Sequence, residues 1–232
     1  MFQCDRCGIC CKKVYKSSLY SYLDRGDGTC RYFDDQSKLC TIYEKRPEIC
    51  NVDRSYDRFF SNKYSLNEYY QLNYYACGTL KMEDKRMSDI KDALKGKFKS
   101  IFGYDCGDDY EPRVRNARSI ICQGKYSKDD IIEIWDTSIN SNGKSGIVLT
   151  VDAVCVKDSA NYTHQFIAKY ADIDYTHIKE DSFLGMDLSS LNLEMKYGST
   201  YQISLDTVNF NDLMDFIDYA ISLYQEEDKL EW

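Results

Sequence analysis

The chain has 232 residues, 43% of them hydrophobic, with 11 Cys, 21 Tyr, 2 Pro and a formal net charge of −8. That length allows one large domain or two small ones, with enough apolar content for a real core. No apolar run approaches the ~20 residues of a spanning helix, and no signal-peptide pattern opens the chain, so no membrane partner and a cytoplasmic, reducing setting are expected.

The charge is unevenly spread. Residues 1–125 carry 23 Lys+Arg against 18 Asp+Glu, a net of +5, and residues 126–232 carry 7 against 20, a net of −13. Such asymmetry predicts two domains with unlike surfaces.

In chain order, residues 1–80 read as a cysteine-rich module. Cys4, Cys7, Cys10, Cys11, Cys30, Cys40 and Cys50 crowd into the first 50 residues, and Cys77 follows. Two Cys-x-x-Cys steps share Cys7. Such a turn brings two thiolates to one side of a tight loop, within reach of one metal ion. Gly8 permits the sharp turn. Adjacent residues such as Cys10 and Cys11 point in different directions, which suits two neighbouring sites or one cluster wrapped from two sides. Gly26 and Gly28 mark a turn, and residues 66–75 read as a helix. With so few aliphatic residues, the module needs metal coordination in place of a core.

Residues 81–126 read as a helical bridge. Met87, Ile90, Leu94, Phe98 and Ile101 or Phe102 recur at helical spacing over residues 81–103. Gly103 is the stop. Gly107 and Pro112 mark a loop before a short helix rich in Arg.

Residues 127–232 read as a small acidic β-domain. Strands are expected at residues 131–139, 147–156 (one or two), 165–170, 175–179, 191–197 and 200–205. Residues 140–146 form a loop between them, and Gly198 with Ser199 a hairpin turn. Asn209 or Asn211 caps a last helix, whose apolar stripe is Leu213, Phe216, Ile217, Ala220, Ile221 and Tyr224. The fold class expected is α+β: an irregular metal-stabilised module plus a small antiparallel β-domain, a split barrel closed by the C-terminal helix.

Eight thiolates in a reducing setting point to metal rather than disulfides. The candidate ligands are Cys4, Cys7, Cys10, Cys11, Cys30, Cys40, Cys50 and Cys77. Zinc, as two ions, suits them best, because a structural zinc site needs only four thiolates in a loop-rich module. An iron–sulfur cluster is the alternative. Cys106, Cys122 and Cys155 lack partners at metal spacing, and Cys155 reads as core. Phe33 and Tyr43 are expected beside the metal, with Arg46 bonded to a thiolate or a carbonyl. His164 and His177 accompany no nucleophile motif, so no catalytic residue is read.

The cysteine block resembles the bacterial family named for a CxxCxxCC motif, a zinc- or iron-chelating domain. The matching elements are Cys4-x-x-Cys7-Gly8-x-Cys10-Cys11, Gly28-x-Cys30 with Tyr32-Phe33, and Cys40-x-Ile42-Tyr43-x-x-Arg46-Pro47-x-x-Cys50. They cover the first third of the chain. The resemblance implies chelation, with Cys77 as the eighth cysteine. The second half resembles bacterial pleckstrin-homology-like domains through W-D-T-S-I, G-K-S-G-I-V-L-T, F-I-A-K-Y-A-D-I-D and the terminal helix. That resemblance implies a protein-interaction module.

The function expected is that of a metal-binding protein-interaction protein whose acidic domain docks a partner with a basic surface, as an inhibitor or immunity protein would. Alternatives are an iron–sulfur protein in electron transfer or a modification enzyme, and a nucleic-acid-binding module. The last is disfavoured by the modest +5 and the acidic second half.

Overall fold

The computed structural model describes residues 1–158, 164–183, 186–205 and 207–225. The chain forms two compact units, Met1–Ser88 and Asp89–Trp232.

The first unit is irregular. Two short helices, α1 (Ile9–Lys12) and α2 (Val52–Ser55), sit among tighter helical segments of one or two turns at Val14–Lys16, Ser18–Leu23, Tyr43–Lys45 and Glu48–Cys50. Its small core is Val14, Leu23, Cys30 and Phe33, with Cys11, Tyr20 and Tyr32 packed against it. A second patch is aromatic: the Phe60 and Tyr69 rings stack at 5.0 Å, with Tyr56 5.5 Å from Tyr69.

Helix α3 (Leu66–Phe102) runs through the division between the units. Ser65 and Glu68 cap its start reciprocally: the Ser65 N–H donates to Glu68 Oε2 at 2.8 Å, and the Glu68 N–H donates to Ser65 Oγ at 3.3 Å. Periodicity predicts two helices here, at 66–75 and 81–103; the structure corrects this to one. No proline lies between, and a helical glycine such as Gly78 costs only about 1 kcal/mol. Gly103, at φ 77°, ends the helix by donating to the Lys99 carbonyl at 3.0 Å.

The described residues of the second unit contain α4 (Glu111–Asn116), nine strands and α5 (Phe210–Gln225). Strands β1 (Ile131–Asp136), β2 (Gly146–Thr150), β3 (Ala153–Lys157) and β4 (Gln165–Lys169) form an antiparallel sheet in that order. Strands β5 (Ile173–Lys179), β8 (Ser190–Met195) and β9 (Thr200–Ile203) form a second antiparallel sheet, ordered β5-β8-β9. Two-residue strands β6 (Ser182–Phe183) and β7 (Met186–Asp187) pair with each other. The α+β class and a C-terminal helix are thus present, with sheets of four and three strands beside the β6–β7 pair.

Every residue of β2 is buried, which explains its unbroken Ile147-Val148-Leu149 run. Strand β1 stops at Asp136 rather than at 139. There Asp136 Oδ1 accepts from the Ser138 N–H at 2.9 Å and Oδ2 from the Gly143 N–H at 2.7 Å, turning the chain into the loop. Residue 146 must be glycine: its φ is 135°, and a Cβ there would lie 2.0 Å from the Trp135 carbonyl oxygen. On α5 the expected stripe is the buried one, with Leu213, Phe216, Ile217, Ala220 and Ile221 inside. Asn209 is its cap, Oδ1 accepting from the Asn211 N–H at 2.9 Å and the Asp212 N–H at 3.3 Å.

Candidate metal centre

All eight candidate thiols lie in the first unit, and all are free. Their placement begins at the first turn. Arg6 and Gly8 adopt left-handed φ values of 58° and 75°, folding Cys4 to Cys11 into a knuckle. The Cys11 and Lys12 N–H groups donate to the Gly8 carbonyl at 3.0 and 3.2 Å, starting α1.

The middle cysteines are tied to this turn through the backbone. The Cys30 N–H donates to the Cys11 carbonyl at 2.7 Å. Asp24 Oδ1 accepts from the Gly26 and Gly28 N–H groups at 2.7 and 3.0 Å, holding the loop that delivers Cys30. Phe33 and Cys40 pair as an isolated antiparallel bridge. Asp34 shapes the intervening loop, its Oδ1 accepting from the Ser37 N–H at 2.6 Å. Cys50 ends the turn after Pro47, its N–H donating to the Pro47 carbonyl at 2.9 Å.

The last cysteine comes from α3. Residues 2–5 are pinned along one face of that helix. Phe2 stacks on Tyr74 at 4.5 Å, the Gln3 N–H donates to Tyr74 Oη at 3.2 Å, and Lys81 pairs with Asp5. Asp53 fixes the start of this strap: Oδ1 accepts from the Phe2 N–H at 2.9 Å and also from the Tyr70 hydroxyl. Sequence reasoning missed Phe2, Asp53, Tyr74 and Lys81. The available signal was the spacing of Tyr70, Tyr74, Cys77 and Lys81 on one helical face.

The thiols influence one another electrostatically. The Cys11 thiol hydrogen-bonds the Cys10 sulfur, which lowers Cys10 to about 7 and raises Cys11. Arg46 adds to the lowering of Cys10. Burial, then the neighbouring Cys10, Cys30 and Cys40, pushes Cys50 up to about 11. Burial followed by Cys4, Cys10 and Cys7 raises Cys77.

Positive charge faces this concentration of sulfur. Arg46 and Arg6 both stack on the Tyr43 ring, at 3.9 and 4.0 Å from its centroid. The Arg46 Nε is buried and has no hydrogen-bond partner among the described residues. The Arg46 charge acts on both Cys10 and Cys50, lowering each. Phe33 is 4% exposed, in the core with Cys11 and Cys30, and Tyr43 carries the two arginines.

Among the described residues, no three Cys, His, Asp or Glu side chains converge on one point. The donor set itself suits a thiophilic ion: eight free thiols in one unit, with cationic cover. Zinc bound there would be held by thiolates alone and would serve as a structural link between loops.

The other candidates lie in the second unit. Cys106 is half-buried, while Cys122 and Cys155 are buried in one core cluster with Ile134 and Val148. His164 Nε2 lies 2.5 Å from the Gln202 carbonyl. His177 Nδ1 lies 3.8 Å from Glu194, and its Nε2 lies 3.4 Å from Asn192 Nδ2. No described helix is long and apolar enough to cross a membrane. No family model, curated protein or solved structure matches the chain.

Proposed function

We propose that this protein is a metal-stabilised protein-interaction protein: the cysteine module holds two zinc ions for structure, and the acidic β-domain docks a basic protein partner. The observation that carries the metal half is the gathering of eight free thiols in a unit with a very small core, with the buried Arg46 Nε unpartnered among the described residues. Metal ligation supplies the folding free energy that such a core lacks. The resemblance to the CxxCxxCC family supports the same reading.

The interaction half rests on charge. Residues 126–232 carry a net of −13, and the exposed residues of β5, α5 and the adjoining loop include Asp174, Glu180, Asp181, Asp215 and Asp218. A basic surface complements that field and associates faster for it. The resemblance to pleckstrin-homology-like domains agrees with a docking role, and an inhibitor or immunity protein is its concrete form.

Elemental analysis and an absorption spectrum of protein purified anaerobically without chelators test the metal half. Two colourless zincs per chain are expected. Iron with matching sulfide and absorption near ~400 nm, the mark of an iron–sulfur centre, would replace the zinc reading with a redox one. The interaction half is tested by the salt dependence of partner capture. Capture that is indifferent to ionic strength would sink the electrostatic docking.

A further inference from the structure

We infer that the outward face of helix α3 is a self-association surface, on which a second copy of this chain lays the same stretch of α3 antiparallel to the first. The inference does not depend on metal, and it goes beyond the docking of a basic partner.

The inward face of α3 is already occupied. Within the first unit, the Tyr70 hydroxyl donates to Asp53, Tyr74 Oη accepts from the Gln3 N–H, Lys81 pairs with Asp5, and Asp84 pairs with Lys13 at 3.5 Å. These four helix residues form one stripe running past Cys77. A helix turns about 100° per residue, so Glu68, Leu72, Tyr75, Thr79, Met82 and Arg86 fall on the opposite side, within about 80° of arc. All of them belong to the first unit.

That opposite side is open. Tyr75 is 79% exposed, Met82 76% and Leu72 50%. Glu68 and Thr79 are exposed too, and Arg86 at the end of the row is half-buried. The Thr79 hydroxyl donates to the Tyr75 carbonyl at 3.1 Å, so its donor is satisfied within the helix. From residue 68 to residue 86 the row alternates steps of four and three residues. That is the period of a coiled-coil seam.

The seam is its own complement. Reversal about Cys77 sets Leu72 against Met82, Tyr75 against Thr79 and Glu68 against Arg86 of the second copy. Each pair then occurs twice, as a two-fold interface requires. The same reversal sets Ala76 against Gly78 on the flanks. A parallel pairing would instead set Glu68 on Glu68 and Arg86 on Arg86, and like charges in register are unfavourable. Charge therefore selects the antiparallel arrangement.

Gly78 is a separate observation. It lies inside a helix, where glycine is disfavoured by its backbone freedom. A Cβ there would meet nothing within 4 Å among the described residues. Packing within the chain does not call for glycine at this position, whereas close approach of a second helix does.

The seam is about 27 Å long. One helix from each copy makes a small interface, so the dimer forms in a concentration-dependent way.

The test is sedimentation of the full chain over a concentration series up to about 1 mM, in a phosphine reductant that keeps exposed thiols from cross-linking. Wild type should pass from monomer to dimer. Leu72→Lys and Met82→Glu, both at exposed positions, should each weaken association by at least about tenfold. Gly78→Gln, which improves helix propensity, should weaken it as well. Mixing the Leu72→Lys and Met82→Glu proteins should restore a dimer. The antiparallel pairing puts the new lysine against the new glutamate and keeps one Leu72–Met82 pair intact, which a parallel pairing does not. Circular dichroism checks that each variant is folded, and Gly78→Gln decides if a charged variant is not. A wild type that stays monomeric throughout would overturn the proposal and leave this face to a different partner. So would a dimer that none of the three substitutions weakens, or a mixture that associates no better than its components.

Discussion

The ring of Phe33 occupies the space that a side chain on residue 8 would need. A Cβ on Gly8 would lie 2.5 Å from Phe33 Cε2 and 2.9 Å from the Lys38 carbonyl oxygen, and the φ of 75° is itself unfavourable for any other residue. The knuckle carrying Cys7 and Cys10 can therefore close over the Phe33 core only when residue 8 is glycine. Gly8→Ala should destabilise the first unit by about 1–3 kcal/mol from the backbone alone, with the clash adding to it. Urea unfolding of the variant against wild type measures this, and an unchanged midpoint would refute it.

Phe98 is fully buried at the centre of an aromatic group in the second unit. Its ring lies 4.5 Å from Phe102, 5.2 Å from Tyr104, 5.9 Å from Trp135 and 6.0 Å from Phe216. Phe98→Ala leaves a cavity that these large rings cannot fill by small shifts. The expected cost is about 3–5 kcal/mol. Tryptophan emission should move to the red as Trp135 gains water, and a variant with the wild-type spectrum and midpoint would contradict this packing role.

What could be read from the sequence was local. The α5 stripe follows from its 3.6-residue period, and the Gly198–Ser199 turn from Gly198, whose φ is 84°. The cysteine loops were legible because thiols at such close spacing rarely arise from packing alone. The strap was not legible: Phe2 meets Tyr74 across 72 positions, and no local propensity encodes that contact. The single α3 helix was missed for a related reason. Residues 76–79 are exposed around Gly78, so no apolar period marked the continuation, and only the absence of proline argued for it.

Asp53 holds the strap by accepting from both the Phe2 N–H and the Tyr70 hydroxyl. That same bond raises the Tyr70 hydroxyl to about 12. Asp53→Ala leaves both donors without their acceptor, at a cost of about 1–3 kcal/mol. Hydrogen exchange should become faster at the amides of residues 2–5 and remain as in wild type in β2 and β3. Unchanged exchange at residues 2–5 would show that the Phe2–Tyr74 stack suffices.

Glu133 gives the second unit a dependence on pH of definite sign. It is 6% exposed. Burial raises its carboxyl above the ordinary 4.5, although Oε1 accepts from the Ile134 N–H at 2.8 Å and Oε2 from the Gly107 N–H at 3.2 Å. Between the unfolded and folded values the native state binds more protons than the unfolded chain, so this group's contribution to stability falls as pH rises. It is most favourable below the unfolded value, and the loss is complete above the folded one. Glu133→Gln removes that titration. The stability of the variant relative to wild type should improve from about pH 4 to about pH 7, read as the difference in thermal midpoints at each pH. A constant difference would exclude Glu133 as the source.

Metal removal should act on the two units unequally. In the first, a loop-rich chain surrounds a core of Val14, Leu23, Cys30 and Phe33, far less than its conformational entropy requires. In the second, β2, β3 and the inner face of α5 are buried almost throughout, so its stability comes from apolar packing and needs no ion. A strong chelator should release amide protection at residues 8–50 while leaving protection in β2, β3 and α5 intact, and added zinc should restore it. Protection at residues 8–50 that survives complete metal removal would mean that backbone bonds such as Cys30 to Cys11 hold the module alone, and the thiols would then need a role other than structural ligation.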